Sequence, residues 1–432
     1  MKINKIIHSK LLPLIIVFLL IFLGFIFVFI VPAINENRSI DKNLTPLDKT
    51  IETKKSIIKS NPKITKNYFE LSAAYLQKVR ETGNSSYYTD IDTLMQKAAE
   101  VEPENAEIYA TKASVAIGRH NFLEGKKMIE IAISKNPNRD TYYGLLGDAH
   151  IELGEYDAAI LSFQKMVDMR PGFNSYSRIA YIRELYGDVK GAKEALQLAI
   201  TSGSNYKDDI SWAYVELGKL SLRNNLDEAE VLFKKALNIS PFYSQAYEGL
   251  AKVEFLKGNT KVAIEHLNTA IKQLPLTQYS NNLADIYNSI NDTVKRDQYL
   301  AITQASYSQA SKAGVNTDLE ESLFLSNNDI NLKESLIKAT RAYKDRPTIF
   351  AADTLAWAYY KNQNYSEAGK YTKESLRLGN FDTTILFHQG MIALKNKDTI
   401  LAKKYLKEAY KINPNFSIKD TSILKKLVVQ FK

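Results

Sequence analysis

Residues 142–171 read YYGLLGDAHIELGEYDAAILSFQKMVDMRP, and residues 214–241 read YVELGKLSLRNNLDEAEVLFKKALNISP. Each divides into two helical stretches around a short turn, with small residues at recurring places: Gly147, Ala159 and, with Met standing in, Met166 in the first, Gly218, Ala229 and Ala236 in the second. Helices approach closely only where side chains are small, so these sites mark helix–helix contact. Leu146, Phe163, Leu217 and Phe233 fill the space between. One such pair cannot bury its own apolar face, so neighbouring pairs must stack into a solenoid.

The prolines carry the same rhythm through the chain. Pro62, Pro103, Pro137, Pro171, Pro241, Pro275, Pro347 and Pro414 are separated by 41, 34, 34, 70, 34, 72 and 67 residues, single and double multiples of a period near 34. About ten units fit between the first and the last. With small residues at helix-contact positions, the pattern resembles the tetratricopeptide repeat (TPR) family over about residues 62–416. Further matching units are Ala106–Asn138, Phe173–Gly203 (Ala180, Gly187, Ala192, Ala199), Gln245–Leu274 (Ala251, Gly258, Ala263, Ala270), Ala352–Leu378 (Ala356, Ala368, Ser375) and Thr384–Asn415 (Gly390, Ala402, Ala409). The first unit carries about seven extra residues around Arg80–Tyr88, Gln304–Leu332 lacks a clean register, and Ile418–Lys432 has the spacing of a capping helix. The resemblance implies an all-α right-handed superhelix of about ten helix-turn-helix repeats.

Leu11 to Val31, LLPLIIVFLLIFLGFIFVFIV, is 21 almost wholly apolar residues. At about 1.5 Å per residue it is long enough to cross a hydrocarbon core. Lys2, Lys5 and Lys10 before it favour an N-terminus on the cytoplasmic side, with the repeats extracytoplasmic. The expected organisation is a tail at 1–10, a transmembrane signal anchor at 11–33, a linker at 34–61, the solenoid at 62–416 and a capping helix at 417–432. Cleavage after Ala33, giving a secreted soluble scaffold, is the alternative.

The net charge of +9 leaves +6 for residues 34–432 once those three lysines are set aside, and both signs read as interspersed there, without the basic stripe of a nucleic-acid binder. With no cysteine, disulfides, thiolate nucleophiles and Cys-based metal sites are excluded. The five histidines show no short metal spacing; His150 reads as a packed core residue and His120 as a solvated turn residue. Gly118 to Lys127 departs from a phosphate loop in glycine spacing and context, and Gly125 reads as a helix contact. Asp208-Asp209 and Glu320-Glu321 sit where acids favour helix starts. The expectation is no catalytic centre, no cofactor and no metal.

The resemblance further implies that first helices line a concave groove that binds protein or peptide partners. Carrying over the groove-facing positions gives Asp148, Glu152, Asn174, Tyr181, Glu184, Trp212, Lys219, Arg223, Gln245, Glu248, Lys252, Tyr279, Asn282, Asp353, Trp357, Tyr360 and Lys361. A scaffold that assembles complexes is the reading these support, with a small-molecule binder or enzyme inside the superhelix as the alternative. The carboxylate-clamp set of the chaperone-binding subset is missing, and Asp148 and Glu184 would repel a terminal carboxylate. The metal knuckle of the lipopolysaccharide-assembly subset needs cysteines that this chain lacks.

Overall fold

The computed structural model describes residues 44–379 and 382–431. The expected tail at 1–10 and transmembrane helix at 11–33 lie outside the described residues, as do linker residues 34–43. No helix among the described residues is long and apolar enough to cross a membrane. The chain forms two compact units, residues 1–56 and 57–432. The described part of the first begins helix α1 (Pro46–Ser60), where a linker was expected. The correction has a local cause: Thr45 and Asp48 bond reciprocally as a capping box, and Pro46 occupies the first helical position, where its missing N–H costs nothing.

Ten helix pairs follow. They are α2 (Thr65–Thr82) with α3 (Tyr87–Val101), α4 (Ala106–Gly118) with α5 (Phe122–Lys135), α6 (Asp140–Glu152) with α7 (Tyr156–Met169), α8 (Phe173–Leu185) with α9 (Val189–Ser202), and α10 (Lys207–Ser221) with α11 (Leu226–Ile239). Then come α12 (Ser244–Leu256) with α13 (Thr260–Gln273), α14 (Thr277–Ser289) with α15 (Thr293–Lys312), and α16 (Asp318–Asn327) with α17 (Leu332–Asp345). The ninth pair is α18 (Ile349–Lys361) with a second helix broken at Tyr371 into α19 (Tyr365–Lys370) and α20 (Thr372–Ser375); the tenth is α21 (Thr383–Lys395) with α22 (Thr399–Ile412). Helix α23 (Thr421–Gln430) ends the array.

The repeat is written in local chemistry. Asp188, Asn225, Asp292, Asn364 and Asp398 cap second helices by accepting a backbone N–H. Tyr68, Tyr109, Tyr143 and Tyr247, each six residues after a proline, donate their hydroxyls to the carbonyls of Pro62, Pro103, Pro137 and Pro241. In most pairs the turn uses one left-handed residue: His120, Gly154, Gly187, Gly258, Asn291, Asp329, Gln363 and Lys397 all have positive φ, whereas the turn between α10 and α11 has none. Gly187 and Gly258 are therefore turn residues, not the contact residues their small size suggested. At true contacts the reading holds: a Cβ on Gly218 would come within 2.5 Å of Phe233, one on Gly125 within 2.7 Å of Ile117, and Ala159, Ala229 and Ala236 are fully buried.

First helices touch each other directly at most junctions, whereas second helices make no comparable contact among themselves. The stack therefore curves with its first helices inside. It curves far enough for successive turns to meet. The backbone N–H of Asn316 donates to the carbonyl of Arg119 at 2.9 Å, and the amide of Ile349 donates to the Tyr156 hydroxyl at 3.0 Å. Ile151, Tyr156, Phe163, Ile182 and Leu185 share one apolar cluster with Ile349 and Ile385, about two hundred residues further on.

Candidate protein-binding surface

The inner face is a ladder of polar rungs, each joining one first helix to the next. The Arg178 guanidinium donates twice to Asp148, at 2.9 and 2.6 Å, and once to the carbonyl of Asn174. Arg223 pairs with Glu184, and Lys361 with Asp329 at 2.7 Å. Glu248, 3% exposed, accepts from Asn282 at 3.0 Å and Gln278 at 3.2 Å and pairs with Lys252 at 2.7 Å. Burial works to raise the Glu248 pKa, but Lys252, Lys219 and the Asn282 amide hold it below the ordinary carboxylate value. For Glu152 and Glu184 burial wins over the opposing Arg346 and Arg223, and both pKa values are raised.

Besides Glu248, three expected groove residues lie inside the protein. Tyr279 is fully buried, its hydroxyl 3.0 Å from Ser244 Oγ. Asp353 is 4% exposed and accepts from Gln389 Nε2 at 3.0 Å, with His388 Nδ1 at 2.7 Å. Trp357 is 6% exposed, stacked between the rings of His388 and Tyr360, with its indole N–H on Asn327 Oδ1 at 2.8 Å. The cause is shared: these positions face the first helix of the adjoining unit at close range, so their side chains become inter-unit packing. Trp212 is half-buried and meets Phe173 edge-on, with centroids 6.2 Å apart. His150 is buried as expected, against Glu155. His120 is not a solvated turn residue: its Nδ1 lies 2.9 Å from the carbonyl of Asn316.

Two parts of the inner face are occupied by the chain itself. At Glu152, the Arg346 guanidinium reaches across from the following superhelical turn, bonding Glu152 at 3.3 Å and Glu320 at 2.8 Å above the Phe122 ring. Beside it Arg377 donates to the carbonyls of Gly154 and Pro347, both at 2.9 Å. At α14, the turn before α23 folds back: Ile418 packs on the cluster of Tyr279, Leu283 and Tyr287, and Lys419 donates to the Asn327 carbonyl. The terminal segment is thus more than a cap, although Leu424 does bury against the last pair.

Between these parts, α8, α10 and α12 keep accessible side chains. Asn174 and Lys219 are exposed, Gln245 and Lys252 half-buried, and Tyr181 is 42% exposed at the edge of a cavity lined by Glu184, Arg223, Phe350, Leu378 and Asp382. Tyr360 and Lys361 are half-buried against Trp357. The occupied zones escaped the sequence because they depend on the pitch of the superhelix; a run as polar as Ser417-Ile418-Lys419-Asp420 gives no sign that it folds inward. No group of three or more His, Asp or Glu side chains among the described residues is placed to hold a metal ion.

A chain of paired helices, closed turn by turn through small-residue contacts and lined by its first helices, is a helical-repeat protein of the interaction class. One tetratricopeptide repeat model matches residues 111–172 and a second matches residues 383–416, so the chain carries tetratricopeptide repeats. It is 35% identical over 72 residues to tetratricopeptide repeat protein 33 of Xenopus laevis, covering 17% of this chain and 28% of that protein. It is 21% identical over 370 residues to the tetratricopeptide repeat and J domain-containing co-chaperone DNJ1 of Fusarium oxysporum f. sp. lycopersici, covering 74% of this chain and 69% of that one. Among solved structures, yeast Tom70 aligns at 14% identity and TM-score 0.40 over 89% of this chain and 95% of its own. The type IV pilus biogenesis factor PilW aligns at 16% and 0.39 over 47% and 93%.

Proposed function

We propose that the protein is a membrane-anchored scaffold that holds protein or peptide partners on the inner face of α8, α10 and α12. The observation that carries this reading is the uncovered stretch itself: the chain closes over the inner face on either side of it and leaves Asn174, Tyr181, Lys219, Gln245 and Lys252 in reach of solvent. An exposed tyrosine at a cavity edge supplies rigid contact area, and the flanking amide and ammonium groups fix the register of a bound chain. In this reading residues 11–33 anchor the protein, the N-terminus is cytoplasmic and the repeats work on the far side of the membrane. The similarity over 370 residues to a tetratricopeptide repeat co-chaperone supports the general class.

Affinity capture with the full chain in mild detergent, followed by mass spectrometry, identifies the partners. Tyr181→Ala and Lys219→Glu should each weaken capture about tenfold, as loss of an interface anchor does. Identical capture by wild type and both variants, at unchanged helix content, would reject this face. A reporter fused after Lys432 should be active only outside the cytoplasm, and cytoplasmic activity would reverse the topology.

A further inference from the structure

Charge is distributed along this chain far less evenly than its interspersed appearance suggests. Residues 395–432 contain ten lysines against Asp398, Glu408 and Asp420, a net of +7 out of the chain's +9. With Lys2, Lys5 and Lys10 also set aside, residues 11–394 sum to −1. Essentially all the excess positive charge of the repeats lies at their C-terminal end.

Folding concentrates it further. On α22, Lys403, Lys404, Lys407 and Lys411 fall at i, i+1, i+4 and i+8, one stripe of the helix, and all four are exposed. The opposite side of α22 buries Ala402, Tyr405, Leu406 and Ala409 in the last core cluster, which fixes the lysine stripe outward. On α23 Lys425 and Lys426 are exposed while Leu424 is fully buried. Two of the three acids are already engaged: Asp398, itself exposed, caps α22, and Asp420 accepts from Ser417 in the turn before α23. Only Glu408 lies near the stripe, 4.0 Å from Lys411.

Two more features define what such a face fits. Its cations are all lysine, compact charges on flexible stems without the fixed fork that reads a single carboxylate; elsewhere the chain uses arginine for that purpose, as in Arg178 on Asp148. Large aliphatic side chains stand among them, with Ile400 87%, Val429 62% and Ile423 41% exposed. Ile400 begins the lysine stripe on α22, and Val429 follows Lys425 and Lys426 by one turn on α23. Diffuse positive charge with protruding aliphatics matches a surface that is negative on the outside and apolar just beneath.

We infer that the outer face of α22 and α23 docks on the headgroup layer of an anionic lipid bilayer, as a contact separate from the inner face and from the N-terminal segment. The lysines bind the headgroups and Ile400 and Val429 dip between them.

The absence of cysteine makes the test clean, since one introduced thiol can be labelled alone. The full chain with Gln430→Cys carries a fluorescent donor, and vesicles carry headgroup-labelled acceptors. Vesicles of phosphatidylcholine alone are compared with vesicles containing one third phosphatidylglycerol. Docking should raise energy transfer at least twofold on the anionic vesicles, and about 1 M salt, where the Debye length is about 3 Å, should abolish the rise. Replacing Lys403, Lys404, Lys407 and Lys411 together by Gln should remove it, and replacing the same four by Arg should keep it. These exposed positions leave the core untouched, and circular dichroism checks that the fold persists. Equal transfer on the two kinds of vesicle, or an unchanged rise in the Gln variant, overturns the proposal and leaves an acidic protein or polyanion as the occupant of this face. The Gln variant keeps Lys2, Lys5 and Lys10, so a rise caused by the N-terminal segment would persist in it, and its loss assigns the rise to α22.

Discussion

Residues 106–274 and residues 293–382 belong to one array, yet they are built differently. The first stretch is regular: its first helices run 13 to 15 residues and its second helices 14, with prolines at most unit ends. The second is not: α15 runs 20 residues where other second helices run about 14, α16 shortens to 10, and the second helix of the ninth pair breaks at Tyr371. These departures supply the contacts between superhelical turns. Asn316 and Glu320 follow the overlong α15, Arg346 ends α17, and Arg377 follows the broken α20. The regular half gives a stack its stability, and the irregular half shapes where that stack meets itself.

The sharpest way to break this comparison is at Arg346, 5% exposed between Glu152 and Glu320. Arg346→Ala leaves two facing carboxylates without their cation. The loss should be about 3 kcal/mol, the low end for breaking a buried pair, because both acids keep about a third of their surface in water. Urea unfolding measures it, and hydrogen exchange should rise first at α6 and α18. An effect below about 1 kcal/mol would show that the apolar cluster of Ile151, Tyr156 and Ile349 closes the turn unaided.

Within the regular half, Gly218→Leu tests the close approach of α10 and α11, where a Cβ alone already comes within 2.5 Å of Phe233. Overpacking should cost about 1–3 kcal/mol. Because solenoid stability is carried by nearest neighbours, the added exchange should stay within pairs four to six. Spread to residues 316–382 would mean that the halves unfold as one unit.

How much of this was legible follows the same division. The pairs, the ends of the units and Gly125, Gly147 and Gly218 as contacts all come from residues within one period, and so they could be read from spacing. Contacts across about two hundred residues, such as Tyr156 with Ile349, depend on curvature summed over many units, and no local pattern encodes them. The groove positions were half legible. The register placed Asp148, Glu184 and Lys219 on the inner face, but not the rung pairing that takes up Asp148 and Glu184, nor the burial of Tyr279, Asp353 and Trp357. Helix α1 carries a legible start signal, Thr45-Pro46 followed by Asp48, but no long apolar period behind it.

The helix between the two stretches, α14, carries a pH dependence of its own. Burial raises the pKa of Asp285, on α14, to about 6, against the pull of Lys419 from the folded-back terminal turn. A carboxyl with a raised folded-state pKa favours the fold below its unfolded value near 3.8, and that contribution is lost as pH rises through about 6. Asp285→Asn should therefore stabilise the protein at pH 7, by about 1 kcal/mol after discounting for partial exposure, and have little effect at pH 4. Equal effects at both values would assign the change to packing.

The smallest expected effect compares one backbone site in the regular stretch and in the last pair. His120 and Lys397 are equivalent turn residues with φ near +60°, a region that costs a side-chain-bearing residue about 1–2 kcal/mol. Replacing either by glycine relieves that strain, but the greater freedom of the unfolded chain offsets about 0.5–1 kcal/mol of the gain. For Lys397→Gly, an exposed position in the last pair, the net should be a gain of about 0.5 kcal/mol, seen as a small rise in melting temperature. For His120→Gly the same relief is set against loss of the ring's 2.9 Å contact with the Asn316 carbonyl, so the net should be zero or a loss of about 1 kcal/mol. A gain at both sites would mean that the imidazole contributes nothing to the meeting of the two turns. A loss at both would mean that the left-handed turn is held by more than its backbone conformation.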